Sequence, residues 1–203
     1  MDSHRTGIVV PPGSSRHGCL AGAPGAIVAL VAALASASVS GEELTSPYGA
    51  FIEAGAADDA RSLVAGVAWT WLQPTKWGEN GHFSGYFETS VGEWACHASP
   101  GARYGHCATQ IGLTPVIRFA PTVFSRWFGE IGIGADAVFP LYDSDKRRFS
   151  TVYQFGDHLG IGRKFGADGR DEIELRGEHY SNGGFKNPNP GENWVQLRYM
   201  HWF

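Results

Sequence analysis

Hydrophobic and polar residues alternate with a period of two along most of the chain after residue 48. The segment 111–119 reads IGLTPVIRF, in which isoleucine, leucine, proline and phenylalanine occupy the odd positions and glycine, threonine, valine and arginine the even ones. The segment 129–139, GEIGIGADAVF, sets isoleucine, alanine and phenylalanine opposite glutamate, glycine and aspartate in the same way. A period of two predicts β-strands, each with one apolar face and one face of small or charged residues.

Eight such segments are separated by polar or Gly/Pro/Asp-rich breaks. They span 48–56, 62–73, 82–94, 108–120, 128–139, 148–165, 171–182 and 193–203. Most are longer than the roughly 5–6 residues of an ordinary globular strand. Several approach the roughly ten residues that a tilted strand needs to cross a bilayer. No sustained helical period and no long repeat competes with this pattern.

The chemistry of the two faces predicts an eight-stranded antiparallel transmembrane β-barrel, an all-β fold of the outer membrane. Glycine and charge suit a narrow lumen, and the apolar face suits lipid. We therefore interpret several charged residues as a paired network that fills the lumen: Glu88, Glu130, Asp136, Glu174, Arg176, Glu178 and Arg198. The alternative, a secreted soluble sandwich or lipocalin-like barrel, would turn its apolar face inward.

Tryptophans and the last strand support the membrane interpretation. The seven tryptophans cluster near strand ends, as residues of interfacial girdles do, at positions 69, 71, 77, 94, 127, 194 and 202. The last strand alternates and ends on Phe203. That terminal aromatic resembles the sorting signal of outer-membrane barrels.

The first forty residues differ in composition from the rest. Arg5 and Arg16 precede an apolar run that ends in small residues, with an A-x-A site at residues 35–37. This layout predicts a signal peptide over 1–40, cleaved near 37–40, and a single barrel domain over 41–203. A single membrane-spanning helix is the alternative, although the run is short and interrupted by Pro24.

Charge and cysteine content refine this picture. With 16 Lys+Arg against 20 Asp+Glu, the net charge of −4 gives no basic surface for nucleic acid. In an exported chain, Cys96 and Cys107 most simply form a disulfide across the polar segment HASPGARYGH. A metal site that uses His97 and His106 is the alternative, although the spacing matches no familiar zinc pattern.

The stretch EHYSNGGFKNPNPGEN, residues 178–193, carries the candidate chemistry. Continuing the two-residue period puts His179 and Ser181 on the apolar face, about 6.6 Å apart along the strand. Rotamers that lean toward each other bring an imidazole nitrogen within hydrogen-bond reach of the hydroxyl. The histidine can then take the proton of a serine that attacks an ester. Backbone N–H groups of the Gly183-Gly184 pair and the Asn182 amide could stabilise an oxyanion. Because both side chains face lipid, the pattern indicates an esterase for membrane lipid; a non-catalytic interfacial pair is the alternative.

Together with the strand layout, signal peptide and terminal aromatic, this stretch resembles the PagL family of outer-membrane lipid A 3-O-deacylases. The resemblance implies an eight-stranded barrel that hydrolyses the ester-linked acyl chain at position 3 of lipid A. It implies no metal or other cofactor, and a Ser–His–acid triad on the outer face. Carried over by motif, Ser181 is the nucleophile, His179 the base, and Asn182 with the Gly184 N–H the oxyanion hole. The implied partners are lipopolysaccharide and outer-membrane lipid, with a homodimer left open.

The acid of the triad departs from the family motif. The motif places the family's glutamate at Asn193, whereas the nearest carboxylate is Glu192. In a regular last strand Asn193 faces outward and Glu192 inward, but a β-bulge could turn Glu192 outward. We favour Glu192 because a carboxylate stabilises an imidazolium better, and keep Asn193 as the alternative that orients His179 without charge.

Two other interpretations stay open. A non-enzymatic small outer-membrane barrel, or another lipid-modifying barrel enzyme, would share most of these features. The segment DSDKRR, residues 143–148, could hold a divalent cation or lipid phosphates, but we interpret it as a solvated turn.

Overall fold

The computed structural model describes residues 48–79, 81–97 and 104–203, so the predicted signal peptide lies outside the described residues. Eight antiparallel strands form a closed barrel in which each strand pairs with its neighbour in sequence and the first pairs with the last. The strands are β1 (Tyr48–Ala56), β2 (Ala60–Trp77), β3 (Gly81–Cys96), β4 (Gly105–Ala120), β5 (Trp127–Phe139), β6 (Tyr153–Phe165), β7 (Asp171–Ser181) and β8 (Glu192–Trp202). The predicted fold and strand number are confirmed. No helix in the described part of the chain is long and apolar enough to cross a membrane.

Two strand boundaries differ most from the sequence prediction. β6 begins at Tyr153 instead of 148, because residues 140–152 fold back on themselves and pair through one bridge between Asp143 and Arg148. β2 extends to Trp77, and its pairing with β3 shifts register after Thr70. Alternation alone could not separate these irregular segments from the strands they continue.

The two ends of the barrel carry different connections. Among the connections described in full, 57–59, 140–152 and 182–191 lie at one end, here called the long-loop end. Connections 121–126 and 166–170 lie at the other, the short-turn end. Outer-membrane barrels place long loops outside the cell and short turns in the periplasm. Ser181, the last residue of β7, therefore lies near the outer leaflet.

The barrel is apolar outside and polar inside. Outward side chains such as Ile133, Leu159 and Val195 are 62%, 68% and 62% exposed, whereas Glu130 and Arg176 on the inner face are buried. This arrangement excludes the soluble alternatives, because a soluble barrel could not leave a continuous apolar surface in water. Lipid contact removes that difficulty, and closure pairs the strand edges.

Ion pairs fill much of the lumen, and five of the seven residues predicted for the network take part in them. Asp136 instead accepts a hydrogen bond from the Gln110 amide, and Glu178 forms no ion pair among the described residues. Arg176 pairs with Glu174 at 2.9 Å, and Arg198 pairs with Glu53 at 2.9 Å. Toward the short-turn end, Arg118 pairs with Glu172 at 2.7 Å. The predicted disulfide also forms, with Cys96 and Cys107 bonded and their Cα atoms 5.8 Å apart.

An aromatic cluster closes the lumen at the long-loop end. Trp94 packs against Tyr180 of β7 and Trp194 of β8, with ring centroids 4.9 and 4.8 Å apart. Both tryptophans are thus buried inside the barrel and do not belong to the interfacial girdle that the sequence predicted. Tyr142 and Phe149 of the 140–152 loop pack on the same cluster. Close packing of this kind leaves little freedom for rearrangement. The ends of β7 and β8 and the 140–152 loop therefore share one rigid support.

Candidate active site

The register of β7 and β8 decides which side chains meet on the outer surface. The two strands pair without interruption, with His179 opposite Asn193 and Tyr180 opposite Glu192. His179 and Asn193 are exposed outward, and Ser181 continues the same face. Cross-strand partners place their Cβ atoms about 4.5–5.5 Å apart, so Asn193 is the natural contact of the imidazole.

Asn193 holds the imidazole of His179. Its Oδ1 lies 2.7 Å from His179 Nδ1. An amide oxygen can only accept a hydrogen bond, so Nδ1 of the neutral ring carries the proton and donates it. The other nitrogen, Nε2, is then left with a free lone pair, as a general base requires.

Glu192, which the sequence interpretation favoured as the partner of His179, points into the barrel instead. Its side chain is buried and accepts a hydrogen bond from the Tyr142 hydroxyl at 3.0 Å. Arg147 Nε lies 3.2 Å from its Oε1. Because β8 is regular from its first residue, there is no bulge to turn Glu192 outward. Burial raises the pKa of Tyr142, so this hydroxyl stays protonated and able to donate.

The two groups expected to form an oxyanion hole are occupied within the 182–191 loop. Asn182 is buried, and its Nδ2 donates to Ser150 Oγ at 3.1 Å and to the Lys186 carbonyl at 2.8 Å. The Gly184 N–H donates to Asn182 Oδ1 at 2.9 Å. Asn182 thus organises the loop, because its short amide satisfies backbone groups within it.

A different backbone group points at Ser181. The Gly183 N–H lies 3.5 Å from Ser181 Oγ. Gly183 and Gly184 have φ angles of 64° and 82°, a region that side chains other than glycine rarely adopt. The glycine pair thereby brings a backbone donor back toward the serine at the end of β7.

Gly191 packs directly against the imidazole. Its φ is 63°, and a Cβ placed there would stand 2.6 Å from His179 Cε1 and 3.1 Å from Nε2. Real Cβ atoms do not approach other atoms at 2.6 Å. The absence of a side chain at this position therefore lets the ring rest against the loop.

Two grooves run down the outer surface from this site. The first, about 440 Å³, is lined by Ile131, Ile133, Leu159, Asp157, His179 and Asn193 among others. The second, about 610 Å³ and almost wholly apolar, shares Leu159 and Gly177 with the first and continues to Trp127. Asp157 pairs in register with His179 on the side away from Asn193. Among the described residues, its Oδ1 has no hydrogen-bond partner.

Sequence reasoning missed Tyr142, Arg147 and Gly191. Gly191 follows Pro190 at the loop exit, a pair typical of a turn, but nothing in the sequence places it against His179. Arg147 and Tyr142 lie more than forty residues from Glu192, and no local pattern signals that contact. Only the folding of the 140–152 loop over the barrel end brings them together.

Comparison with known proteins gives consistent matches. A family model described as "Lipid A 3-O-deacylase (PagL)" matches residues 63–202. Lipid A deacylase PagL of Bordetella bronchiseptica is 44% identical over 78 residues, which is 38% of this chain and 42% of that protein. Lipid A deacylase PagL of Pseudomonas aeruginosa is 27% identical over 177 residues, 87% of this chain and 95% of that protein. The crystal structure of the outer membrane enzyme PagL aligns with a TM-score of 0.63 and 25% identity, covering 75% of this chain and 98% of that one.

Proposed function

The chain belongs to the PagL family of lipid A 3-O-deacylases, and we propose that it hydrolyses the acyl ester at position 3 of lipid A in the outer membrane. Ser181 acts as nucleophile and His179 as general base. The observation that carries the proposal is the pair His179–Asn193, hydrogen-bonded beside Ser181 on the lipid-facing surface at the long-loop end.

The position of the pair selects the substrate class. A serine that faces the bilayer near the outer leaflet can reach only esters carried by membrane lipid. The first outer groove begins at this pair, and the second continues from it along apolar side chains such as Leu159 and Leu175. A hydrocarbon chain laid in these grooves places its carbonyl near Ser181, because the carbonyl sits at the polar end of the chain.

The steps follow from the tautomer of His179. Ser181 gives its proton to Nε2 while its Oγ attacks the acyl carbonyl carbon, and the carbonyl oxygen becomes an oxyanion. The Gly183 N–H donates to that oxyanion. The imidazolium then returns the proton to the departing sugar oxygen, which leaves an acyl ester on Ser181. A water molecule, deprotonated by His179, attacks the carbonyl carbon of that ester. The bond to Ser181 Oγ then breaks, the imidazolium returns the proton to Oγ, and the fatty acid is released.

Orientation and charge come from different residues in this site. Asn193 fixes the ring through Nδ1 but carries no charge to stabilise the imidazolium. Asp157 lines the same groove on the other side of the ring, and its carboxylate supplies the negative charge. Asparagine takes the same orienting role in cysteine–histidine enzymes.

Two substitutions of Asn193 separate the contribution of ring orientation to kcat from that of negative charge. Asn193→Ala removes the acceptor of the Nδ1 proton, and we expect kcat to fall roughly tenfold to a hundredfold because the ring loses its orientation. Asn193→Glu restores an acceptor and adds charge, and we expect kcat at or above that of the wild type. Initial rates of fatty acid release from lipopolysaccharide measure both. A glutamate variant as slow as the alanine variant would contradict the assignment.

Gly191→Ala tests the other support of the ring. The added Cβ overlaps the imidazole edge, so we expect the ring to shift and kcat to fall roughly tenfold to a hundredfold. Gly169→Ala is the matched control, because its φ of 69° imposes the same backbone strain while a Cβ there approaches only Lys164, at 4.0 Å. Equal activity of the two variants, measured by the same assay, would show that Gly191 does not position His179.

The proposed reaction is tested with the refolded protein, lipopolysaccharide and a phospholipid presented in the same vesicles. We expect one equivalent of a 3-hydroxy fatty acid and a lipid A lighter by that acyl group, with the phospholipid intact. Release of fatty acid from the phospholipid would favour another lipid-modifying barrel enzyme. No release from either lipid by a folded barrel would favour a non-enzymatic barrel.

A further inference from the structure

We propose that Arg147 is a positioning residue that clamps the 182–191 loop and thereby holds His179 in its working orientation. The inference rests on the proposed function, since it concerns the same imidazole. Arg147 lies in the 140–152 loop, on the segment DSDKRR that the sequence interpretation treated as a solvated turn.

The contacts of Arg147 fix three consecutive residues. Its Nη1 donates to the carbonyl of Pro190 at 3.2 Å and to that of Gly191 at 3.0 Å. Its Nε lies 3.2 Å from Glu192 Oε1, an ion-pair contact without the geometry of a hydrogen bond. The guanidinium is well suited to this task, because its planar fork presents several donors in a fixed geometry. A lysine carries its three donors on a single nitrogen and lacks this spread of donors over a rigid plane.

The carboxylate that Arg147 holds is itself anchored from inside the barrel. Tyr142 donates to Glu192 Oε2 at 3.0 Å. The Tyr142 ring packs in the aromatic cluster, 5.3 Å from Trp94 and 5.0 Å from Phe149. The clamp therefore joins the loop to the rigid end of the barrel.

Both neighbours of Glu192 in the chain touch His179. Gly191 packs against the ring edge near Nε2, and Asn193 accepts the Nδ1 proton. The Asn193 N–H also donates to Glu192 Oε1 at 3.2 Å. Movement of residues 190–192 would therefore disturb the imidazole from two sides at once. This gives the buried Glu192 a role that differs from the triad acid.

A purely structural explanation predicts a different result. Glu192 is buried, with 1% of its side chain exposed, and Arg147 neutralises it. Removing one partner of a buried ion pair leaves an uncompensated charge and destabilises the fold. If neutralisation were the only role of Arg147, then removing both charges together would restore activity as well as stability.

The test compares Arg147→Met, Arg147→Lys and the double variant Arg147→Met/Glu192→Gln with the wild type. Arg148→Met is the matched control, since Arg148 lies in the same turn, 72% exposed, and pairs among the described residues only with Asp143, at 3.5 Å. Thermal unfolding of the barrel and the kcat and KM for lipopolysaccharide are measured for each. Wild type and Ser181→Ala are included, so that a failure of the proposed function appears as a wild type without activity.

We expect Arg147→Met to lose stability and to lower kcat roughly tenfold to a hundredfold with little change in KM. Arg147→Lys should fall between it and the wild type. The double variant should regain most of the thermal stability but not the kcat, because the carbonyls of Pro190 and Gly191 remain unclamped. Recovery of wild-type kcat in the double variant, or an unchanged kcat in a folded Arg147→Met, would overturn the inference.

Discussion

Replacing Ser181 by alanine is expected to abolish release of the acyl chain. Oγ of Ser181 is the group toward which the Gly183 N–H points at the end of β7, so the alanine variant lacks the attacking oxygen. Loss of a triad serine elsewhere costs about 10⁶ in kcat. The alanine side chain is smaller than serine and lies at a half-exposed position, so the barrel itself should fold normally.

Two controls accompany this measurement. Ser125→Ala changes a serine at the short-turn end, which bonds only within its own turn, and should keep wild-type activity. The unfolding temperature of Ser181→Ala should match that of the wild type. Activity above one hundredth of the wild type in a folded Ser181→Ala barrel would rule out Ser181 as the nucleophile.

Replacing His179 by glutamine is expected to lower kcat roughly 10²–10⁴-fold, the usual contribution of a general base. Glutamine can still bond to Asn193, but its amide cannot take the serine proton. Binding of lipopolysaccharide should change little, because the outer grooves are lined mainly by other residues. The loss should therefore appear in kcat and not in KM.

His106→Gln is the matched control for this variant. His106 is also part-exposed at the long-loop end and pairs with a carboxylate, Glu93, at 2.6 Å, but it lies on β4. It should keep wild-type activity. The double variant Ser181→Ala/His179→Gln should be no slower than Ser181→Ala, because a base has no role without its nucleophile. A further large loss in the double variant would contradict a shared step.

The sequence predicted the barrel because one period extends through most of the strands. In β5, isoleucine alternates with glycine and charged residues. This alternation indicates both a β-strand and a barrel whose apolar face is turned outward. The same period placed His179 and Ser181 outward, since β7 continues without a bulge to its last residue. These features depend on neighbours two residues apart, which a sequence records directly.

The details of the site depend on contacts that a sequence does not record. A carboxylate is the stronger partner for an imidazolium, and that argument favoured Glu192; the regular register of β8 put Asn193 there instead. Asn182 was a plausible oxyanion donor by type, but the fold of its own loop engages its amide. Arg147 reaches Glu192 only because the 140–152 loop folds over the barrel end.

The most direct test of the account is mass spectrometry of lipid A from a bacterium that expresses this chain, beside one that expresses Ser181→Ala. Both barrels must be shown to be folded in the outer membrane. We expect lipid A to lose the mass of one hydroxyacyl chain, at position 3, with the wild type, and to be unchanged with the variant. Unchanged lipid A with the folded wild type, or the same loss with Ser181→Ala, would contradict the account.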